Sequence, residues 1–387
     1  MKENIKELIG KLISIDSSNQ FLIEGAPGSV GVRSFIKAYL DDHGIENETQ
    51  IVDEDHSNLK ATIKGQGGGR DLSLYAHMDT VGYDLWLDKA LKAEFDGDRL
   101  IGLGACDDKG HLAIMMVLAK KISEEKPELL GDLHLCFIDD EEGQSCGSFD
   151  YVKKNACEAC LVLESTQEEY INVCHQGFAW IRIIVGGKAG HGSAGEGSAD
   201  AIARLAEILV RLERNKRENF SAHPHEMNGE TVYHSGYIKG GTDFASYPDS
   251  AELGIEIGIQ PGETIDDRIR EIEAVFKEVR EIYPDLDAKT EVVIDRKPFN
   301  TEGTEVLCEK VKAAIKKFTG KEAVCIGENA WGDAQIFQDA GFPTLGIGAV
   351  GGNLHAPNEW ISLSSAEQLV EILFDIVKNY CGELNDE

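Results

Sequence analysis

Apolar runs in this chain end repeatedly in a carboxylate or an imidazole. His77 and Asp79 lie in SLYAHMDTV, Asp107 and Asp108 in GLGACDDKG, Glu141 and Glu142 in LCFIDDEEG, and Glu164 in CLVLES. These four sites follow short strand-like runs, and a fifth, His355 in GNLHAPNE, lies in a glycine-rich loop. A short apolar run reads as a buried strand. In an open α/β sheet, ligands bind outside the carboxyl ends of the strands. Carboxylates and imidazoles collected there form a set of O and N donors suited to a metal. These residue types imply a hydrolytic metalloenzyme.

Each site taken alone has an ordinary explanation. His77 with Asp79 fits a capped strand end followed by a turn. Asp107 and Asp108 precede Lys109-Gly110 and a helix, as N-cap residues do. Glu141 and Glu142 fit a solvated turn within the acidic run 139–142, Glu164 an exposed strand terminus, and His355 a loop histidine. Their joint occurrence is the signal. A dinuclear hydrolase needs one carboxylate shared by both metals, further ligands on each, and a base that is not itself a ligand. All these types are present, and Asp79 is spaced to orient the His77 imidazole.

The first half alternates strand-like and helix-like segments. Residues 59–63, 71–77, 133–138 and 160–164 read as strands, and 110–122 as a buried helix. This predicts an α/β layered domain, and the glycines at 65–69 read as a turn between two strands. The character changes near Gly177. Residues 180–185, 231–238, 252–259 and 288–294 read as strands. Residues 198–212 read as a helix with Ile202, Leu205, Leu209 and Leu212 on one face. Residues 264–283 read as another, with Thr264 as N-cap, Asp267 completing a capping box, and Ile282 on the apolar face. The order βαββαβ is that of a ferredoxin-like split unit. It is inserted, because the α/β alternation resumes from Thr304, with a strand at 343–347 and a last helix preceded by a capping box of Ser364 and Glu367. The expected division is 1–177 with 296–387 for a discontinuous catalytic domain, and 178–295 for the insertion.

The chain carries 69 Asp+Glu against 38 Lys+Arg, a formal net charge of −31. Nucleic acid and anionic membranes need a basic face, so neither is expected as a partner. Nine scattered cysteines read as reduced thiols in a cytoplasm, and the lone CxxC at Cys157 and Cys160 as structural. Ile5, Leu8, Ile9, Leu12 and Ile13 follow helical spacing. Glu3, Lys6, Glu7 and Lys11 interrupt them, so this segment does not read as a signal peptide. No apolar stretch is long enough to span a bilayer.

HMD at 77–79, GLGACDDKG at 102–110, DEEGQSCGS at 140–148, LES at 163–165 and HAPNE at 355–359 resemble the M20 metallopeptidases. That group includes acetylornithine deacetylase, succinyl-diaminopimelate desuccinylase, aminoacylase and carboxypeptidase G. The resemblance runs in order through nearly the whole chain. It implies a mixed-sheet, zinc-exopeptidase-like catalytic domain with an inserted ferredoxin-like lid that also serves as a dimer interface. It implies two zinc ions, with cobalt or manganese as substitutes. One would be held by His77, Asp107 and Glu164 and the other by Asp107, Glu142 and His355, with Asp107 bridging across a cis bond to Asp108. Glu141 matches the general base. His191, in GKAGHGSAGEGSADAI, matches a lid histidine that reaches the partner subunit's site and stabilises the oxyanion. His175 reads as structural. The activity implied is amide hydrolysis on a small N-acylated amino acid. The alternatives are exopeptidase action on di- or tripeptides, and a non-catalytic metal- or ligand-binding relative.

One part of the pattern departs. Many members of the group grip the substrate carboxylate with an Asn shortly after the lid's Gly-Gly and an Arg on the next strand. Here Ala245 and Gly258 stand at those places. Either Arg296 or Lys297 supplies the cation, or the substrate is not a simple N-acyl amino acid.

Overall fold

The strand Leu72–His77 is buried at all six positions, and so is Leu133–Ile138. Runs that are apolar throughout, without alternation, need cover on both faces, and the computed structural model, which describes residues 2–384, provides it. Strands Asn47–Ile51, Ser57–Ile63, Leu133–Ile138, Leu72–His77, Ala159–Leu163, Thr344–Ile347 and Tyr170–His175 lie side by side in that order. Leu72–His77 runs parallel to both its neighbours, and Thr344–Ile347 runs parallel to Ala159–Leu163. The outer pairings are antiparallel, so the sheet is mixed. Helix Lys109–Glu125 packs on Leu72–His77 and against helices Lys2–Ile13 and Leu363–Tyr380. Helices Cys146–Lys154 and Ala334–Asp339 pack together and touch strands Leu133–Ile138 and Thr344–Ile347 respectively.

The central helix Lys109–Glu125 is buried from Lys109 to Ala119. It ends at Lys126, whose left-handed backbone (φ 49) returns its N–H to Ile122. The last helix starts two residues earlier than the expected capping box allows. Its N-cap is Ser362, whose hydroxyl accepts the Ser365 N–H, whereas Ser364 lies inside the first turn and bonds to Asp98. Between the first two strands after residue 57, the glycines at 65 and 69 let the backbone press against Leu130 and Gly131. A Cβ at Gly65 would lie 2.3 Å from the Gly131 carbonyl oxygen.

The chain divides into two compact units: Met1–Val173 with Thr301–Cys325 and Gly332–Glu387, and Cys174–Asn300 with Ile326–Trp331. The second takes in residues 174–177, 296–300 and 326–331, which the sequence division assigns to the first. Its four main strands order as Tyr233–Gly240, Ser250–Ile259, Gly177–Gly186 and Ala288–Arg296, all antiparallel. Two helices, Ala201–Asn215 and Ile265–Arg280, complete the βαββαβ order. Gly177–Gly186 alternates buried and half-buried residues without a break, as a sheet covered on one face must. Leu205, Ile208, Leu212, Ile272, Phe276 and Val279 fill the space between sheet and helices. The first helix runs Ala201–Asn215, capped by Asp200, rather than over 198–212. Ile208 is buried in place of Ile202, which is exposed. The Thr264–Asp267 capping box forms, but the helix ends at Arg280 and Ile282 is exposed beyond it.

Candidate active site

The first unit brings together seven of the eight residues singled out: His77, Asp79, Asp107, Glu141, Glu142, Glu164 and His355. Strand Leu72–His77 delivers His77 fully buried. Its Nδ1 lies 3.0 Å from the backbone carbonyl of Asp79, so Nε2 faces Asp107 Oδ1 at 2.9 Å and Glu164 Oε1 at 3.7 Å. The Asp79 carboxylate is 3.5 Å from Nδ1. It mainly accepts the N–H groups of Glu141 (3.1 Å) and Glu142 (3.0 Å) and the Asn19 amide (2.7 Å). The His77 Nδ1 thus has both the carbonyl and the carboxylate of Asp79 beside it, and the same carboxylate fixes the loop that carries Glu141 and Glu142.

The peptide bond between Asp107 and Asp108 is cis. Asp108 makes no side-chain cap to the helix that follows. One of its oxygens accepts the His77 N–H at 3.0 Å and the other pairs with His111 Nδ1 at 2.5 Å. His111 Nε2 in turn accepts the Ala349 N–H. Asp108 is thus engaged on both oxygens. Asp107 faces imidazoles with both of its own: Oδ1 toward His77, and Oδ2 toward His355 Nε2 at 3.0 Å. His355 Nε2 also lies 3.1 Å from Glu142 Oε1. It sits in a left-handed turn (φ 56), a conformation a non-glycine residue holds only when its surroundings dictate it.

Donors on one tetrahedral ion with bonds of ~2.0–2.1 Å lie about 3.3 Å apart. The separations here, 2.9 to 3.7 Å, bracket that spacing, with His77 beside Asp107 and Glu164 and His355 beside Asp107 and Glu142; mutual proximity groups His77 with Asp107 and Glu142, and again with Asp108 and Glu164. Charge gives a second test. Asp107, Glu141, Glu142 and Glu164 crowd together, and among the described residues no lysine or arginine is ion-paired with any of them. Unpaired carboxylates are costly to bury. Burial pushes Glu164 well above its usual range, and Asp108 and Asp107 add to the rise. Burial does the same to Glu141, against the opposing charge of His77. Contacts with Asp107 and Glu142 push the His355 imidazole up to about 11. Divalent cations at the two donor sets would relieve this repulsion, so the residues present fit a dinuclear centre. Glu141 holds back from both sets. Its carboxylate faces Gly332, where an added Cβ would be 4.0 Å away.

Sequence reasoning missed several supports. Asn19 bonds to both Asp79 and Asp140 from a loop without periodicity. Asp333, fully buried, accepts the hydroxyls of Tyr75 (2.8 Å) and Ser148 (2.5 Å), and burial pushes its carboxyl up to about 6. His111 falls inside an apolar helical run that conceals its polar task.

The eighth residue, His191, lies in the second unit. It is exposed, 2.9 Å from Ser193 Oγ, on a two-residue ladder with Ser246 and Tyr247. Gly258 has no room for a side chain. A Cβ there would lie 2.3 Å from Gln176 Oε1 and 3.0 Å from the Val232 nitrogen. The nine cysteines are free thiols.

The sequence pattern of Peptidase family M20/M25/M40 matches residues 73–379. Carboxypeptidase G2 of a Pseudomonas species is 27% identical, over 92% of this chain and 84% of its own length. Acetylornithine deacetylase of Aliivibrio salmonicida is 25% identical over 97% and 98%. The same fold occurs in aminopeptidase PepT of Bacillus cereus, with a TM-score of 0.79, 19% identity, and coverage of 98% and 99%. It also occurs in a dinuclear metal-binding peptidase from Bacillus subtilis, with a TM-score of 0.71, 16% identity, and coverage of 98% and 99%.

Proposed function

The chain belongs to peptidase family M20/M25/M40, and from that premise we propose a dizinc amidohydrolase that releases an amine from a small N-acylated amino acid or a similar substrate. The observation that carries the reading is Asp107, with one oxygen 2.9 Å from His77 and the other 3.0 Å from His355. His77, Asp107 and Glu164 would hold one cation, and Asp107, Glu142 and His355 the other, with zinc the expected metal and cobalt or manganese as substitutes. Cations bound there would lower the pKa of a water toward neutrality and polarise the amide carbonyl. Glu141 accepts the proton of the attacking water and returns it to the leaving amine nitrogen. Its freedom from both donor sets suits that shuttle. Asp79 holds the Glu141 and Glu142 amides in register with His77.

The substrate is less constrained than the chemistry. Gln176 lies beside Gly258, and neither Gly258 nor Ala245 has a polar side chain, so these two positions offer no side-chain clamp for a carboxylate. Exopeptidase action on di- or tripeptides is the second reading, and membership of a peptidase family is in keeping with it. His191, in the segment matching the lid, would donate to the oxyanion in a partner subunit of a homodimer in the cytoplasm. No helix among the described residues is long and apolar enough to cross a membrane.

The deciding experiment is amine release by zinc- or cobalt-loaded protein across N-acetyl, N-succinyl and dipeptide substrates, with a chelator control. Chelator-sensitive turnover on one subset is the expected result. Turnover indifferent to chelation would sink the metal reading. Mixing His191→Ala with Glu141→Gln should restore activity through dimers with one intact site, and no recovery in exchanging dimers would remove the trans role.

A further inference from the structure

We infer that Glu359 is a positioning residue that holds the shared ligand, Asp107, in register with His355; this rests on the dinuclear reading of the site. Glu359 is 1% exposed and four residues beyond His355. One carboxylate oxygen accepts the Gly104 N–H at 2.9 Å. The other accepts the N–H groups of Cys106 at 2.9 Å and of Asp107 itself at 3.0 Å. Its backbone carbonyl takes the Gly102 N–H at 3.0 Å. One side chain and its own peptide thus gather the whole loop from 102 to 107. The strand that follows, Trp360–Ser362, pairs with Arg99–Ile101, which precedes that loop. Two loops, one carrying His355 and one carrying Asp107, are therefore joined at their bases by strand pairing and at their tips by Glu359.

The loop has little freedom to compensate. Gly104 adopts φ +74, and a Cβ there would lie 2.9 Å from the side chains of Lys109 and Thr80. Asp107 must meet imidazoles on both sides, at 2.9 and 3.0 Å, so a small backbone shift takes it out of reach of one of them. Partners that orient metal ligands typically cost about 10–100-fold in affinity when removed. Glu359→Gln keeps the side chain's volume, but its NH2 cannot accept from an amide N–H. It faces donor to donor and releases one end of the loop without opening a cavity.

The test is calorimetric titration of metal-stripped protein with Co2+, alongside thermal unfolding of the metal-free form. Ser362→Ala serves as a control that removes the nearby helix cap without touching the loop. Wild type should bind two equivalents. Glu359→Gln should bind at least one of them about 10–100-fold more weakly, whereas Ser362→Ala should lower only the unfolding temperature. Wild-type affinity at both sites in Glu359→Gln, with only the unfolding temperature reduced, would make Glu359 a mere staple and overturn the inference. Should that variant not fold, Glu359→Asp keeps the charge and withdraws it by one methylene, and the same comparison applies with a smaller expected loss. Wild-type protein that takes up no cobalt would overturn the dinuclear reading and this inference with it. Two equivalents bound by wild type and unchanged in the variants would remove this inference alone.

Discussion

Two strands of equal standing in their sheets behave oppositely. Leu72–His77, at the centre of the first unit, is buried at every position. Gly177–Gly186, central in the second, alternates buried with half-buried residues. The first is covered on both faces and ends in the buried His77, beside carboxylates that are partly open to solvent at Glu141, Glu142 and Glu164. The second has helices on one face only, and its edge strand Tyr233–Gly240 is exposed from His234 onward. A doubly covered sheet fixes a strand end at which donors can be held and charges interact more strongly than in open water. A singly covered sheet keeps a face and an edge for contact with something else. The two units divide the work accordingly: one supports chemistry, and the other offers surface.

The largest effect should come from the chemistry at the covered end. Glu141→Gln should retain both metals and lose turnover by about 10²–10⁴-fold, measured as kcat with metal content checked on the same sample. Near-normal turnover would detach the acidic loop from catalysis. Next comes packing. Leu74→Ala, at a position with 0% exposure, should cost about 2–5 kcal/mol. Val293→Ala, at 54% exposure in the second sheet, should stay within about 0.5 kcal/mol. Denaturant unfolding reads both. A core-sized cost at Val293 would mean that face is covered after all, and would break the comparison.

An effect of intermediate size is a pH dependence built into the covered sheet. Burial pushes His134 down to about 4. Between that value and the unfolded value near 6.5, the unfolded chain binds the extra proton. Stability should therefore be full above pH 6.5 and fall as the pH drops toward 4, by about 3 kcal/mol. His134→Gln should flatten that limb of the curve.

Most of the framework was legible in the sequence. Unbroken apolar runs marked the doubly covered strands, and a split βαββαβ order marked the second unit, because side-chain period reports burial directly. Helix starts were less legible. The helix expected from 198 starts after an Asp200 cap, and Ser362 displaced Ser364, because several adjacent polar residues could each cap and tertiary contacts chose among them. At the site, the residue types were plain, but Asp107 and Asp108 were equivalent by type and spacing, as were Glu141 and Glu142. Only the resemblance separated them.

What the sequence determined by itself was which segments are buried, in what order they come, and which donors stand at their ends. The tertiary structure alone decided where each donor atom points. Asp108 turns to His77 and His111, and Asp107 to the two imidazoles, under a carboxylate 252 residues away in sequence. Asp79 likewise sets the Glu141 and Glu142 amides from 62 and 63 residues away. Period and composition are local properties and can be read along the chain. The direction of a carboxylate is fixed by hydrogen bonds between loops remote in sequence, and those exist only once the sheet has brought the loops together.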